Sequence, residues 1–221
     1  MASHLALSHP VIPGLTRDPA AFSASGTSGT PGQARGDGEG GRMASYFTVL
    51  KQDAENEIWS GFLPWLKCAA DIYRRHVEQE DSFPFHSNEQ CAVSLLLAGA
   101  TAAGHLSLME CDIDKGDGRG RADLWLSMDG RQLWFEFKRS AFNPLARRWG
   151  LDHAFSQVSC DLEKIYFDEE EVGVICVIAA TDKMTPEYRN AYTKFLSRVD
   201  FAVRLGPDDE DGVILYFKIQ G

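Results

Sequence analysis

From Ala44 onward, apolar positions fall into alternating runs of helical and strand period. Ile58, Phe62, Leu63, Leu66, Ala69, Ala70 and Tyr73 recur at three- and four-residue spacing, which predicts a helix over about residues 54–79. Pro64 within it predicts either a kink or the end of a first short helix. Ser87-Asn88-Glu89-Gln90 reads as a helix start, with Ser87 as N-cap and Gln90 closing a capping box. That helix is expected to run through Leu95, Leu96 and Ala100 to Gly104. Strands are expected at about 105–113, 121–128 and 131–139, then an amphipathic helix over roughly 145–166. Val172 to Ala180 is a nearly unbroken, β-branched apolar run, as in a central strand covered on both faces. Thr185-Pro186-Glu187 opens another helix, and Phe201–Leu205 and Val213–Ile219 end the chain as strands around an acidic turn. The sequence therefore predicts an α/β domain with a mixed sheet flanked by helices.

The stretch from Gly120 to Lys138 is the most informative. Asp129-Gly130 between two alternating runs predicts a two-residue type I′ hairpin turn. Such a turn fixes the register, so Trp125 should face Trp134, Leu124 should face Phe135, and Asp123 should face Glu136. Because side chains alternate, Asp123, Trp125, Trp134, Glu136 and Lys138 share one face. Leu124, Leu126, Leu133, Phe135 and Phe137 share the other, which should be buried.

Composition narrows the function classes. The 221 residues are 44% hydrophobic and 24% charged, as in an ordinary globular domain. A formal net charge of -10 argues against a non-specific nucleic-acid coat protein, and leaves polyanions to a local basic patch or to bound cations. Five singly scattered cysteines (Cys68, Cys91, Cys111, Cys160, Cys176) lack zinc-ligand spacing and read as reduced, buried thiols of a cytoplasmic protein. The longest apolar run, Cys91 to Gly104, is too short and too rich in small residues to span a bilayer, so no membrane role is expected. The first residues lead to no expectation of a secretory signal, and no G-x-S-x-G elbow or cysteine nucleophile motif is recognisable.

Two carboxylates directly opposite one another on a sheet repel. A divalent cation between them reverses the sign, since hard carboxylate oxygens suit Mg²⁺. Lys138, two residues beyond Glu136, would stand where an ammonium can hold or polarise a water beside that metal. The plainer reading is a solvated strand face with a cross-strand ion pair. Against it stand the turn-derived register, the two tryptophans on the same face and the order of the flanking elements.

On these residues the chain resembles the PD-(D/E)xK nuclease superfamily over roughly Glu89 to Ala180. Arg121-Ala-Asp123-Leu matches the first motif element, with Ala122 where the family name has proline, and Phe135-Glu136-Phe-Lys138 matches the second. The resemblance implies a restriction-endonuclease-like αβββαβ core and phosphodiester hydrolysis with Mg²⁺ or Mn²⁺, DNA being the expected substrate. It implies metal binding by Asp123, Glu136 and the carbonyl of Phe137, and water positioning by Lys138. Glu89 on the first core helix either completes the metal site or serves only the helix N-terminus electrostatically; Glu110 is a weaker candidate. Gln157, in Gln157-x-x-x-Asp161 on the helix after the hairpin, resembles a family glutamine and would orient Lys138 or the scissile phosphate. Its row of His153, Gln157, Asp161 and Lys164 equally fits a solvated face. Arg121, Arg139, Arg147 and Arg148 are candidate contacts to nucleic acid.

Residues 1–42 differ in kind. Ser23 to Gly41 is mostly Gly, Ser, Thr, Ala and charge, which predicts a disordered tail ahead of one domain at 43–221. The run His9 to Pro19 resembles translated intergenic repeat elements at the ends of bacterial reading frames, making Met43 a candidate start. The alternative to a nuclease is a catalytically silent protein of the same fold, acting as a nucleic-acid or protein-binding subunit. A homodimer or protein partner is compatible with either.

Overall fold

The computed structural model describes residues 46–115, 118–181, 184–206 and 212–220. The predicted tail lies outside the described residues. Seven strands form one mixed sheet: β1 (Phe47–Gln52), β2 (Leu106–Lys115), β3 (Gly118–Met128), β4 (Arg131–Arg139), β5 (Glu171–Thr181), β6 (Phe201–Leu205) and β7 (Gly212–Ile219). Their order is β1-β6-β7-β5-β4-β3-β2. β4 and β5 run parallel, whereas the other neighbouring pairs run antiparallel. The helices are α1 (Ile58–Glu80), α2 (Pro84–Ser87), α3 (Glu89–Ala102), α4 (Leu151–Leu162) and α5 (Pro186–Phe195).

The hairpin turn has the predicted chemistry. Asp129 and Gly130 take φ values of 52° and 79°, and the ladder pairs Leu124 with Phe135, Trp125 with Trp134 and Met128 with Arg131. The predicted apolar face (Leu124, Leu126, Leu133, Phe135, Phe137) is buried. It packs beneath α1, with Phe62 and Trp65 against the Phe135 ring at centroid distances of 5.8 and 5.3 Å. The opposite face of β4, β5 and β7 is covered by α4 and α5, through Phe155, Val158 and Leu162 on one and Tyr192 and Phe195 on the other.

Helix α1 runs without a break through Pro64, which lies on its exposed side, and buries Trp59, Phe62, Trp65 and Leu66. Helices α1 and α3 touch backbone to backbone at Gly99. A Cβ there would lie 2.7 Å from the Ala69 Cβ and 2.8 Å from the Ala69 nitrogen. The Trp65 indole donates to the Leu96 carbonyl at 2.7 Å, locking the same crossing.

Four sequence expectations are corrected. Asn88, not Ser87, caps α3: its Oδ1 accepts the Cys91 N–H at 2.8 Å, while Ser87 ends the short α2 and donates to the Phe83 carbonyl. The helix expected from 145 begins at Leu151, because Pro144 and a left-handed Trp149 (φ 68°) hold the preceding segment in turns. Strand β1 and helix α2 were not expected at all. Finally, the cysteines are free as expected, but only Cys176 is buried; Cys91 and Cys160 sit on outward helix faces and are exposed.

Candidate active site

The β3–β4 ladder carries the predicted register as far as Leu124 and Phe135. At the next positions the carboxylates take over. Alternate residues of β4 turn their amides towards β3, so Phe137 and Arg139 present N–H groups on that side. The Phe137 N–H donates to Asp123 Oδ2 at 2.7 Å, and the Arg139 N–H donates to Glu89 Oε2 at 2.8 Å. Two side-chain carboxylates thus stand in for two carbonyls of a neighbouring strand. The substitution opens the sheet at the C-terminal end of β4, where its parallel pairing with β5 also ends.

Around this opening the structure gathers most of the predicted residues. Glu89, at the first position of α3, also accepts from Lys138 Nζ at 3.3 Å. Glu136 is buried on the face that Asp123 and Lys138 share, beside Ile175 of β5. Glu110 lies on β2 between Met109 and Cys111, whose partners Leu124 and Ala122 flank Asp123. Its φ of 52° is unusual within a strand. Burial pushes the Asp123 carboxyl above its ordinary range. The Phe137 N–H and the Lys138 ammonium oppose that shift, while the charges of Glu89 and Glu110 add to it.

The remaining residues are placed as follows. Gln157 lies on α4, and its Oε1 is buried without a hydrogen-bond partner among the described residues. Arg139 turns its guanidinium away from the opening, donating to the Ser87 carbonyl at 2.9 Å and lying over the Phe142 ring at 5.2 Å. Burial pulls its pKa down. Arg121 is exposed and lies 3.7 Å from both Glu110 and Asp112. Arg147 and Arg148 are exposed in the segment between β4 and α4. Sequence reasoning missed Asn88, whose cap fixes where Glu89 starts α3, and the amides of β4, for which no side-chain signal exists.

Among the described residues, His, Cys, Asp and Glu form no group of three arranged around a common metal position. Mg²⁺ is commonly held through one or two carboxylates, with water completing its shell. The donors present fit that kind of ion: the Asp123 carboxyl, the buried Glu136 carboxyl and the Phe137 carbonyl, which in extended backbone points to the same side as the Phe137 N–H. Burial raises Asp123 most, and the charges of Glu89 and Glu110 that add to the shift are what a hard cation would relieve. No helix among the described residues is long and apolar enough to cross a membrane. The chain matches no protein-family model, and neither a curated protein nor a solved structure resembles it significantly.

Proposed function

We propose that the chain is a metal-dependent nuclease of the PD-(D/E)xK type, hydrolysing phosphodiester bonds of nucleic acid, with DNA as the expected substrate. The observation that carries the reading is the open end of the β3–β4 ladder. There Asp123, held on the Phe137 N–H, shares a sheet face with buried Glu136 and with Lys138. The element order α3-β2-β3-β4-α4-β5 supports a restriction-endonuclease-like core.

In this reading Asp123, Glu136 and the Phe137 carbonyl hold Mg²⁺ or Mn²⁺. The bound ion supplies a lowered pKa for water and charge stabilisation at phosphorus. Lys138 donates to the attacking water and sets its position. The Phe137 N–H fixes the rotamer of Asp123, so one carboxylate oxygen stays directed away from the backbone. Gln157 offers an amide that can satisfy its buried oxygen only by rearrangement or through a ligand or water.

A second reading, a protein-binding member of the same fold, is favoured by one observation. Leu106 and Leu108 on the edge strand β2 are 70% and 59% exposed, and Leu108 pairs with Trp125, extending an apolar strip along the uncovered half of the site face.

The test is incubation of the full chain with linear DNA, supercoiled DNA and RNA, with and without Mg²⁺ or Mn²⁺, beside Asp123→Ala and Lys138→Ala. Metal-dependent cutting lost in both variants supports the nuclease. A folded wild type that binds metal but cuts nothing moves the assignment to the binding role.

A further inference from the structure

We infer that Glu89 is a positioning residue for Lys138 and strand β4, and does not ligate the metal. The inference rests on the nuclease reading and departs from the role that the sequence resemblance offers for this glutamate.

Three observations carry it. First, α3 has no need of Glu89 as a cap, because Asn88 Oδ1 already accepts the Cys91 N–H. The Glu89 carboxylate is directed across to β4 instead. Second, both of its oxygens are engaged there, Oε1 by the Lys138 ammonium at 3.3 Å and Oε2 by the Arg139 N–H at 2.8 Å. A carboxylate already matched by an ammonium and an amide is a poor donor to a cation. Asp123, of which only Oδ2 is engaged among the described residues, by the Phe137 N–H at 2.7 Å, is the better one. Third, a second bond closes the same junction: the Arg139 guanidinium donates to the Ser87 carbonyl, just ahead of α3. The start of α3 and the end of β4 are thus clasped through Lys138 and Arg139. Its side chain is 28% exposed and that of Glu89 33%, so the pair is partly shielded from solvent.

The clasp gives Lys138 one fixed partner near its ammonium and so restricts where that ammonium can meet a water. Glu89→Gln keeps an oxygen for the Arg139 N–H but removes the charge that holds Lys138. The test compares the wild type, Glu89→Gln, Lys138→Met and the double variant as full chains. Mn²⁺ binding is followed by electron paramagnetic resonance, and steady-state cleavage is measured on the substrate that the wild type cuts. Three results are expected. Glu89→Gln binds Mn²⁺ within about 2-fold of wild type, where loss of a ligand or its support costs about 10–100-fold. Its kcat falls by about 10-fold or more with KM little changed. In the Lys138→Met background Glu89→Gln adds almost nothing, since residues acting as a unit are not additive. A 10-fold or greater loss of Mn²⁺ affinity in Glu89→Gln would make Glu89 a ligand or the support of one, and would overturn the inference while leaving the nuclease standing. Full additivity in the double variant would overturn it as well, by making the effect of Glu89 independent of Lys138. A wild type that neither binds Mn²⁺ nor cuts would remove the nuclease reading and this inference together.

Discussion

The carboxylate of Asp123 occupies the hydrogen-bonding place opposite Phe137 that a strand carbonyl would otherwise fill, at 2.7 Å from the amide nitrogen. It does so at a cost, because burial and the neighbouring Glu89 and Glu110 favour its neutral form. A carboxyl whose folded pKa lies above its unfolded value contributes most stability when protonated, and loses that contribution as pH rises through the folded pKa. Asp123→Asn retains an acceptor for the Phe137 N–H without the charge. Its Tm should therefore exceed that of the metal-free wild type at neutral pH, and the gap should narrow as pH falls towards the ordinary carboxylate range. Thermal melts in chelator across that range check this, and the same variant should have no cleavage activity.

Packing beneath the site predicts a second effect. Gly99→Ala places a methyl 2.7–2.9 Å from the Cβ, nitrogen and Cα of Ala69, and backbone cannot yield as a side chain does. Overpacking of this kind costs about 1–3 kcal/mol, or about 2–4 °C of Tm for each kcal/mol in a chain of this size. Because α3 carries Glu89, relief by sliding the helix should also lower cleavage below the loss due to unfolding. Melts and rates measured well below Tm separate the two. An unchanged Tm would mean the helices cross farther apart than described.

Gln157 offers a case in which stability and activity should part. Its buried Oε1 lacks a hydrogen-bond partner among the described residues, a situation that costs about 1–3 kcal/mol when no water or ligand intervenes. Gln157→Leu should hold or raise Tm while slowing cleavage by about 10–100-fold, the range for loss of a partner that orients a site. Retention of full activity would remove Gln157 from the mechanism.

Thiol chemistry should divide the five cysteines. Cys91 and Cys160 are exposed on helix surfaces, whereas Cys176 is buried on β5 and burial holds its thiol well above its ordinary pKa. Brief alkylation of the native protein, followed by peptide mass spectrometry, should label Cys91 and Cys160 first and Cys176 only after denaturation. Early labelling of Cys176 would indicate that β5 opens readily.

What the sequence disclosed follows from how local each feature is. The hairpin register was legible because Asp129-Gly130 admits one turn geometry, and β5 because an unbroken apolar run has few other uses. Strand β1 was not, because it lies at the sheet edge with no alternating buried face. The start of α4 was misplaced because Leu145 to Arg148 are all good helix formers, whereas the segment around Pro144 and left-handed Trp149 is held in turns. Asp123, Glu136 and Lys138 could be placed on one face from period two alone. The partner of Lys138 could not, since Glu89 lies 49 residues earlier and only tertiary packing brings it there.

That separation bears on the history of each molecule as well as on its chemistry. The hairpin can close by itself within about 1–10 μs, but the junction between Glu89 and Arg139 spans 50 residues and forms only when α3 docks on the finished hairpin. Until that long loop closes, Asp123, Glu136 and Lys138 share the hairpin, but Lys138 lacks the carboxylate of Glu89. A chain in which α3 has not yet docked therefore lacks the clasp that fixes the Lys138 ammonium and the end of β4. On the proposed reading, long-range docking then serves as a safety catch, since the lysine is set in place only once the fold is complete.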